Sequence, residues 1–114
     1  THIMKHIVFS IAYDADVDLA KKIIQDEIES HPLCLDNRLP HEMNLPKVEV
    51  IMTQWESSSI TLRANVWCQD SYAAFDLRCD SLYNVKKQFD AKGIEIPYPY
   101  QNVVIKGNLE KGNE

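Results

Sequence analysis

His31, Cys34 and His41 are three ligand-type side chains within one short stretch. A zinc site needs four donors, usually in closely spaced pairs, and this set has neither the pairing nor the fourth donor. The stretch reads as a surface loop. Asp14, Asp16 and Asp18 fall at alternate positions and could collect a hard cation. A calcium loop also requires a glycine at its sixth position and a closing glutamate, and both are missing here. Capping of a helix that starts near Val17, and complementation of its dipole, accounts for these carboxylates. Arg63 and Asn65, two apart on one strand face, raise the question of an anion site. The loop that would face them, Tyr13-Asp14-Ala15-Asp16, is acidic and would repel an anionic substrate. Arg63 reads instead as an exposed strand residue paired with a cross-strand carboxylate such as Glu49. Ser10 with His6, and Ser81 with Asp80, supply no nucleophile, base and orienter together. The glycines are Gly93, Gly107 and Gly112, so no glycine-rich phosphate loop exists. The expectation is a chain with no catalytic residues, no metal site and no cofactor, hence not an enzyme.

The chain has 114 residues, enough for one domain with its own core. A composition 45% hydrophobic and 25% charged is that of an ordinary globular protein. The net charge of −5 argues against a nucleic-acid groove, which needs clustered Lys and Arg. Trp55 and Trp67 therefore read as packing or subunit-contact residues, not as stacking platforms for RNA bases. No apolar run approaches the roughly 18 residues of a membrane span, and the start lacks a basic-then-apolar leader. Cys34, Cys68 and Cys79 are an odd set without CxxC spacing, expected to be reduced thiols.

Thr1–Met4 precedes the first strand pattern and is set aside as a tag remnant. From Lys5 to Tyr13 the chain alternates, with Ile7, Phe9, Ile11 and Tyr13 on the predicted inner face. Asp16 is the predicted N-cap of a helix through Ser30, buried along Val17, Ala20, Ile23, Ile24 and Ile28. Pro32 ends it. Leu33 to Pro46 is a long loop rich in turn formers, expected to be mobile or used for contact. Lys47–Trp55 and Ser59–Cys68 alternate around a turn at Glu56-Ser57-Ser58 and read as a hairpin. In its second strand, Ile60, Leu62, Ala64, Val66 and Cys68 share one face. A second helix, capped by Asp70 or Ser71, runs to Lys92 with a predicted buried stripe of Phe75, Cys79, Leu82, Val85 and Phe89. The order predicts an α+β fold: a ferredoxin-like βαββαβ sandwich, its antiparallel sheet covered on one face by two helices. Acylphosphatases share this order, but the acidic loop after the first strand removes the phosphate cradle that such activity needs.

The most unusual stretch closes the second helix. Phe89-Asp90-Ala91-Lys92-Gly93-Ile94-Glu95-Ile96-Pro97-Tyr98-Pro99 reads as a helix end, a glycine exit and an extended segment stiffened by two prolines. Gly93 suits a left-handed helix terminus. Pro97 and Pro99 fix φ and donate no hydrogen bond, so a central strand cannot continue through them. Val103-Val104-Ile105 beyond is a β-prone run built to pair. The predicted division is a domain over 5–100, a protruding oligomerisation strand over 101–107 and a flexible tail over 108–114.

Three blocks of the chain resemble the C-terminal cytoplasmic domain of small-conductance mechanosensitive (MscS) channels. They are Ile11-Ala12-Tyr13-Asp14-Ala15-Asp16, then Ser58-Ser59-Ile60 through Leu62-Arg63-Ala64 to Val66-Trp67, and finally Phe89-Asp90 with Gly93-Ile94 and Ile96-Pro97-Tyr98-Pro99. They fall in the family's order and at nearly its spacing, over about residues 5–106. Two features depart from the family pattern: Tyr100 stands where Gln is more usual, and the 33–46 loop is long.

The resemblance implies a soluble vestibule domain of a homoheptameric channel on the cytoplasmic side of the bacterial inner membrane. Membrane contact would be made through segments outside this chain, and no nucleic acid is involved. It further implies that Gly93, Pro97, Tyr98 and Pro99 form a structural joint. The strand at Val103, Val104 and Ile105 would then pair with copies of itself in a small parallel barrel. That would satisfy backbone groups which a lone strand leaves open. The competing expectation is a free-standing ferredoxin-like regulatory module binding a small ligand at a dimer interface, which leaves the joint and the exported strand unexplained.

Overall fold

A computed structural model describes residues 2–97 of the chain. Its strands are β1 (Ile3–Ala12), β2 (Glu49–Trp55) and β3 (Ser59–Cys68). Its helices are α1 (Val17–Glu29) and α2 (Ser71–Lys92), with a 3-10 turn at Pro40–Glu42. The strands form one sheet in the order β1-β3-β2, antiparallel throughout. The fold is α+β, as the order of periodic segments predicts.

Alternation builds the sheet's inner face. Ile7, Phe9 and Ile11 of β1 stand opposite Ala64, Leu62 and Ile60 of β3, and all six are buried. Val50 of β2 joins Ala64 from the other side. Burying each large member of this set contributes roughly 1.5–3 kcal/mol. β1 begins at Ile3, earlier than its alternation suggests, with Ile3 opposite Cys68. Its far end corrects the expectation for Tyr13, which is 51% exposed. The strand stops at Ala12, where Ala15 N–H bonds back to Ala12 O at 3.0 Å, and this turn carries Tyr13 off the inner face.

Both helices start on an aspartate. Asp16 Oδ1 accepts from Leu19 N–H at 3.1 Å, and Asp70 Oδ1 accepts from Ala73 N–H at 2.9 Å. Each bond satisfies a backbone donor that has no partner within the helix. α1 buries Ala20, Ile23, Ile24 and Ile28, as its periodicity predicts. α2 buries Ala74, Leu77, Ser81, Val85 and Phe89, which corrects the predicted stripe over its first half. Phe75 is 63% exposed and Cys79 is exposed. Packing decides the rotation, and α2 lies chiefly against α1.

The 33–46 loop is tied to itself and to the sheet. Leu35 forms an antiparallel bridge with Trp67. Arg38 donates from Nε and Nη2 to the two oxygens of Asp36, at 2.9 and 2.8 Å, and from Nη1 to Leu45 O at 2.7 Å. These bonds hold the Asp36 carboxyl down at about 2. At the loop's end, Glu29 accepts from Val48 N–H at 3.1 Å and from Lys47 Nζ through its backbone oxygen at 3.2 Å.

Candidate functional site

α2 ends at Gly93, which turns the chain back toward the sheet. Its φ of 79° and ψ of 21° are left-handed, and an added Cβ would meet nothing within 4 Å. Glycine is therefore favoured there by dihedral angle and not by crowding. Ile94 N–H bonds to Phe89 O at 2.8 Å and Gly93 N–H to Asp90 O at 3.4 Å, which is the two-bond Schellman ending. Its usual hydrophobic partner contact is available too, since Ile94 and Phe89 are 4% and 2% exposed.

The segment then returns to the side of β1 that no strand covers among the described residues. Ala12 N–H donates to Glu95 O at 2.8 Å. This is the side on which a fourth strand would lie in a βαββαβ sandwich, yet residues 94–97 carry no assigned strand. Backbone direction alternates along a strand, so Ser10, Val8 and His6 present their N–H and C=O groups to the same side as Ala12. The opposite edge is different: the register of β2 against β3 breaks between Met52 and Gln54, and such an irregularity discourages edge pairing. β1 keeps its register over its whole length.

Beside the free edge, a groove of about 230 Å³ runs between β1 and α2, lined by Val8, Phe9, Ser10, Leu82, Val85, Lys86, Phe89 and Ile96. A cleft of about 550 Å³ adjoins it, bounded by Lys86, Phe89, Asp90 and residues 93–97. Its polar rim is an ion pair, Lys86 Nζ to Asp90 Oδ2 at 2.6 Å. Such a surface can seat an apolar segment and offer backbone pairing; it holds no constellation for bond-breaking chemistry. Gly93 and Pro97 of the predicted joint lie here. Tyr98 and Pro99, and the predicted pairing residues Val103, Val104 and Ile105, fall outside the described residues.

The remaining candidates have other roles in the structure. His31 Nε2 lies 2.8 Å from Asp80 Oδ2, and its Nδ1 accepts from Leu33 N–H at 3.1 Å, so the ring ties the end of α1 to α2. Cys34 is buried, His41 sits in the 3-10 turn, and no grouping of three ligand-type side chains occurs among the described residues. Arg63 corrects the expected pairing with Glu49. The register puts Glu49 opposite Asn65, and Asn65 Nδ2 donates to Glu49 Oε1 at 3.1 Å while its Oδ1 meets His6 Nδ1 at 2.6 Å. Arg63 stands between Val8 and Ile51, and its buried Nε has no partner among the described residues.

Two apolar groups are exposed. Tyr13 and Trp55 stack obliquely at 6.3 Å between ring centroids, beside Met52, at the hairpin end of the sheet. Tyr72, Phe75 and Tyr83 project from the outward side of α2. The spacing of those last three already traces a helix face, but periodicity alone does not say that the face is outward.

Comparison with known proteins gives this geometry a family. The family model "Mechanosensitive ion channel MscS, C-terminal" matches residues 6–96. An "Uncharacterized MscS family protein" of Archaeoglobus fulgidus is 30% identical over 106 residues, covering 93% of this chain and 34% of its own length. A "Small-conductance mechanosensitive channel" of Edwardsiella ictaluri is 29% identical over 85% of this chain and 31% of its own length. The crystal structure of Helicobacter pylori MscS in its closed state superposes with a TM-score of 0.69 at 25% identity, covering 85% of this chain and 35% of that one. The chain thus spans about a third of the length of the relatives it matches. No helix among the described residues is long and apolar enough to cross a membrane. A match across nearly the whole described domain, in sequence and in fold, makes this chain a member of the MscS mechanosensitive-channel family, corresponding to its C-terminal domain.

Proposed function

We propose that this domain serves a mechanosensitive ion channel as part of its cytoplasmic vestibule, on the inner side of a bacterial plasma membrane. Its work is mechanical and electrostatic: it helps hold seven like subunits in register and shapes the path by which ions and small osmolytes reach the pore. Membrane spans and tension sensing belong to the two-thirds of the relatives' length that this chain does not match. The observation that supports the reading is the turn at Gly93. A left-handed glycine turns the chain out of α2, and residues 94–97 leave along the free edge of β1 without completing a fourth strand. The β-prone run at Val103, Val104 and Ile105 is then available to copies of itself, and a closed ring of such strands leaves no open edge. A net charge of −5 on each chain, repeated around a ring, biases the ion atmosphere over about 8 Å at physiological salt.

Val104→Asp in the full-length protein tests this. A charge in the shared barrel should loosen the oligomer seen by native mass spectrometry while the domain's circular dichroism is unchanged. Unaltered assembly together with unaltered conductance would remove the barrel role from that strand. A dimeric regulatory module leaves the similarity to channel proteins without a reason.

A further inference from the structure

Cys34 and Cys68 meet where the long loop joins the sheet. Leu35 bridges Trp67, with Leu35 N–H donating to Trp67 O at 2.9 Å. One residue back on the first chain segment and one forward on the second, Cys34 and Cys68 flank this single bridge on the same side. Burial agrees, since Leu35 and Trp67 are half-buried whereas Cys34 and Cys68 are 6% and 0% exposed. Continued by one step as a regular antiparallel ladder, the bridge would make the cysteines a non-hydrogen-bonded pair, with Cα atoms about 4.5 Å apart. A disulfide spans Cα separations of about 4.4–6.8 Å. Both cysteines are free thiols here, and the third, Cys79, is exposed on α2.

The surroundings govern reactivity. Burial pushes the Cys34 thiol up to about 11, with Lys47 opposing and Cys68 adding to the rise. Burial, then Asp70, also raises Cys68. Little thiolate exists while the loop is seated, so reaction follows loop opening.

We propose that Cys34 and Cys68 are a redox-closable pair, which a small-molecule disulfide converts to an intramolecular cystine fastening the 33–46 loop to the end of β3. The thiolate of one cysteine attacks the small disulfide and expels one thiolate. The thiolate of the other attacks the protein sulfur of the mixed disulfide and expels the second. Two electrons pass from the cysteine sulfurs to the small disulfide, and the two cysteine protons end on its released thiols. The new bond encloses β2 and β3, restricting the unfolded chain.

The 114-residue chain carrying Cys79→Ser, treated with oxidised glutathione, provides the test. Peptide mapping should recover Cys34 linked to Cys68, with the protein lighter by two hydrogens and its Tm raised by about 10 °C. Dithiothreitol should reverse both changes, and adding Cys34→Ser should abolish them. The proposal is overturned if the native chain keeps glutathione adducts without the cross-link, if the cross-link forms only in denaturant, or if the linked protein melts no higher. None of these outcomes depends on whether the domain assembles into a ring.

Discussion

At the scale of single residues, conformation and burial make separable demands. Gly93 adopts a φ of 79° with open space where a Cβ would sit. Gly93→Ala should therefore cost only the left-handed penalty, about 1 kcal/mol by urea denaturation. A much larger loss would show that space at the joint is scarce after all. Cys34 makes a pH prediction. Its thiol rises from 9.0 to about 11 on folding, so between those values the folded state holds more protons than the unfolded one. Stability is complete below the unfolded value and falls as pH climbs through about 11, by at most roughly 3 kcal/mol. Urea midpoints at about pH 8 and about pH 10.5 should show this fall in the native sequence and much less of it in Cys34→Ser.

Elements show which parts of the fold were legible in the sequence. The Asp16 cap, the glycine exit, the hairpin and the inner face of β3 follow from local patterns, because each depends on neighbours in sequence; for α2 the pattern narrows the cap to Asp70 or Ser71, and the structure selects Asp70. The first half of α2 did not, because two adjacent stripes compete there. One carries the large Phe75 and Cys79, the other Ala74, Leu77 and Ser81, and packing on α1 selects the second. Arg63 was assigned to Glu49 for a similar reason: alternation specifies a face but not a register, and the register delivers Glu49 to Asn65. The Arg38 hub within the loop follows no periodicity at all. The revised stripe is testable, since Leu77→Ala should cost about 2–5 kcal/mol. Phe75→Ser, on the exposed side, should stay within about 0.5 kcal/mol. Similar losses for both would return the face of α2 to the original expectation.

At the scale of the whole molecule, the described residues combine an intact core with a sheet of three strands. The described residues bury one face of three strands under two helices and leave the far side of β1 with one backbone bond to the departing chain. The candidate site was legible up to the joint, because glycine and proline constrain dihedrals directly. The destination proposed for the chain beyond it was not, because any pairing between subunits would be a property of the assembly. Amide hydrogen exchange over residues 102–106 tests that pairing most directly, comparing the full-length protein in detergent with the isolated 114-residue chain. Slow exchange in the assembled protein and fast exchange in the isolated chain is the predicted result. Equal rates in the two would contradict strand sharing between subunits.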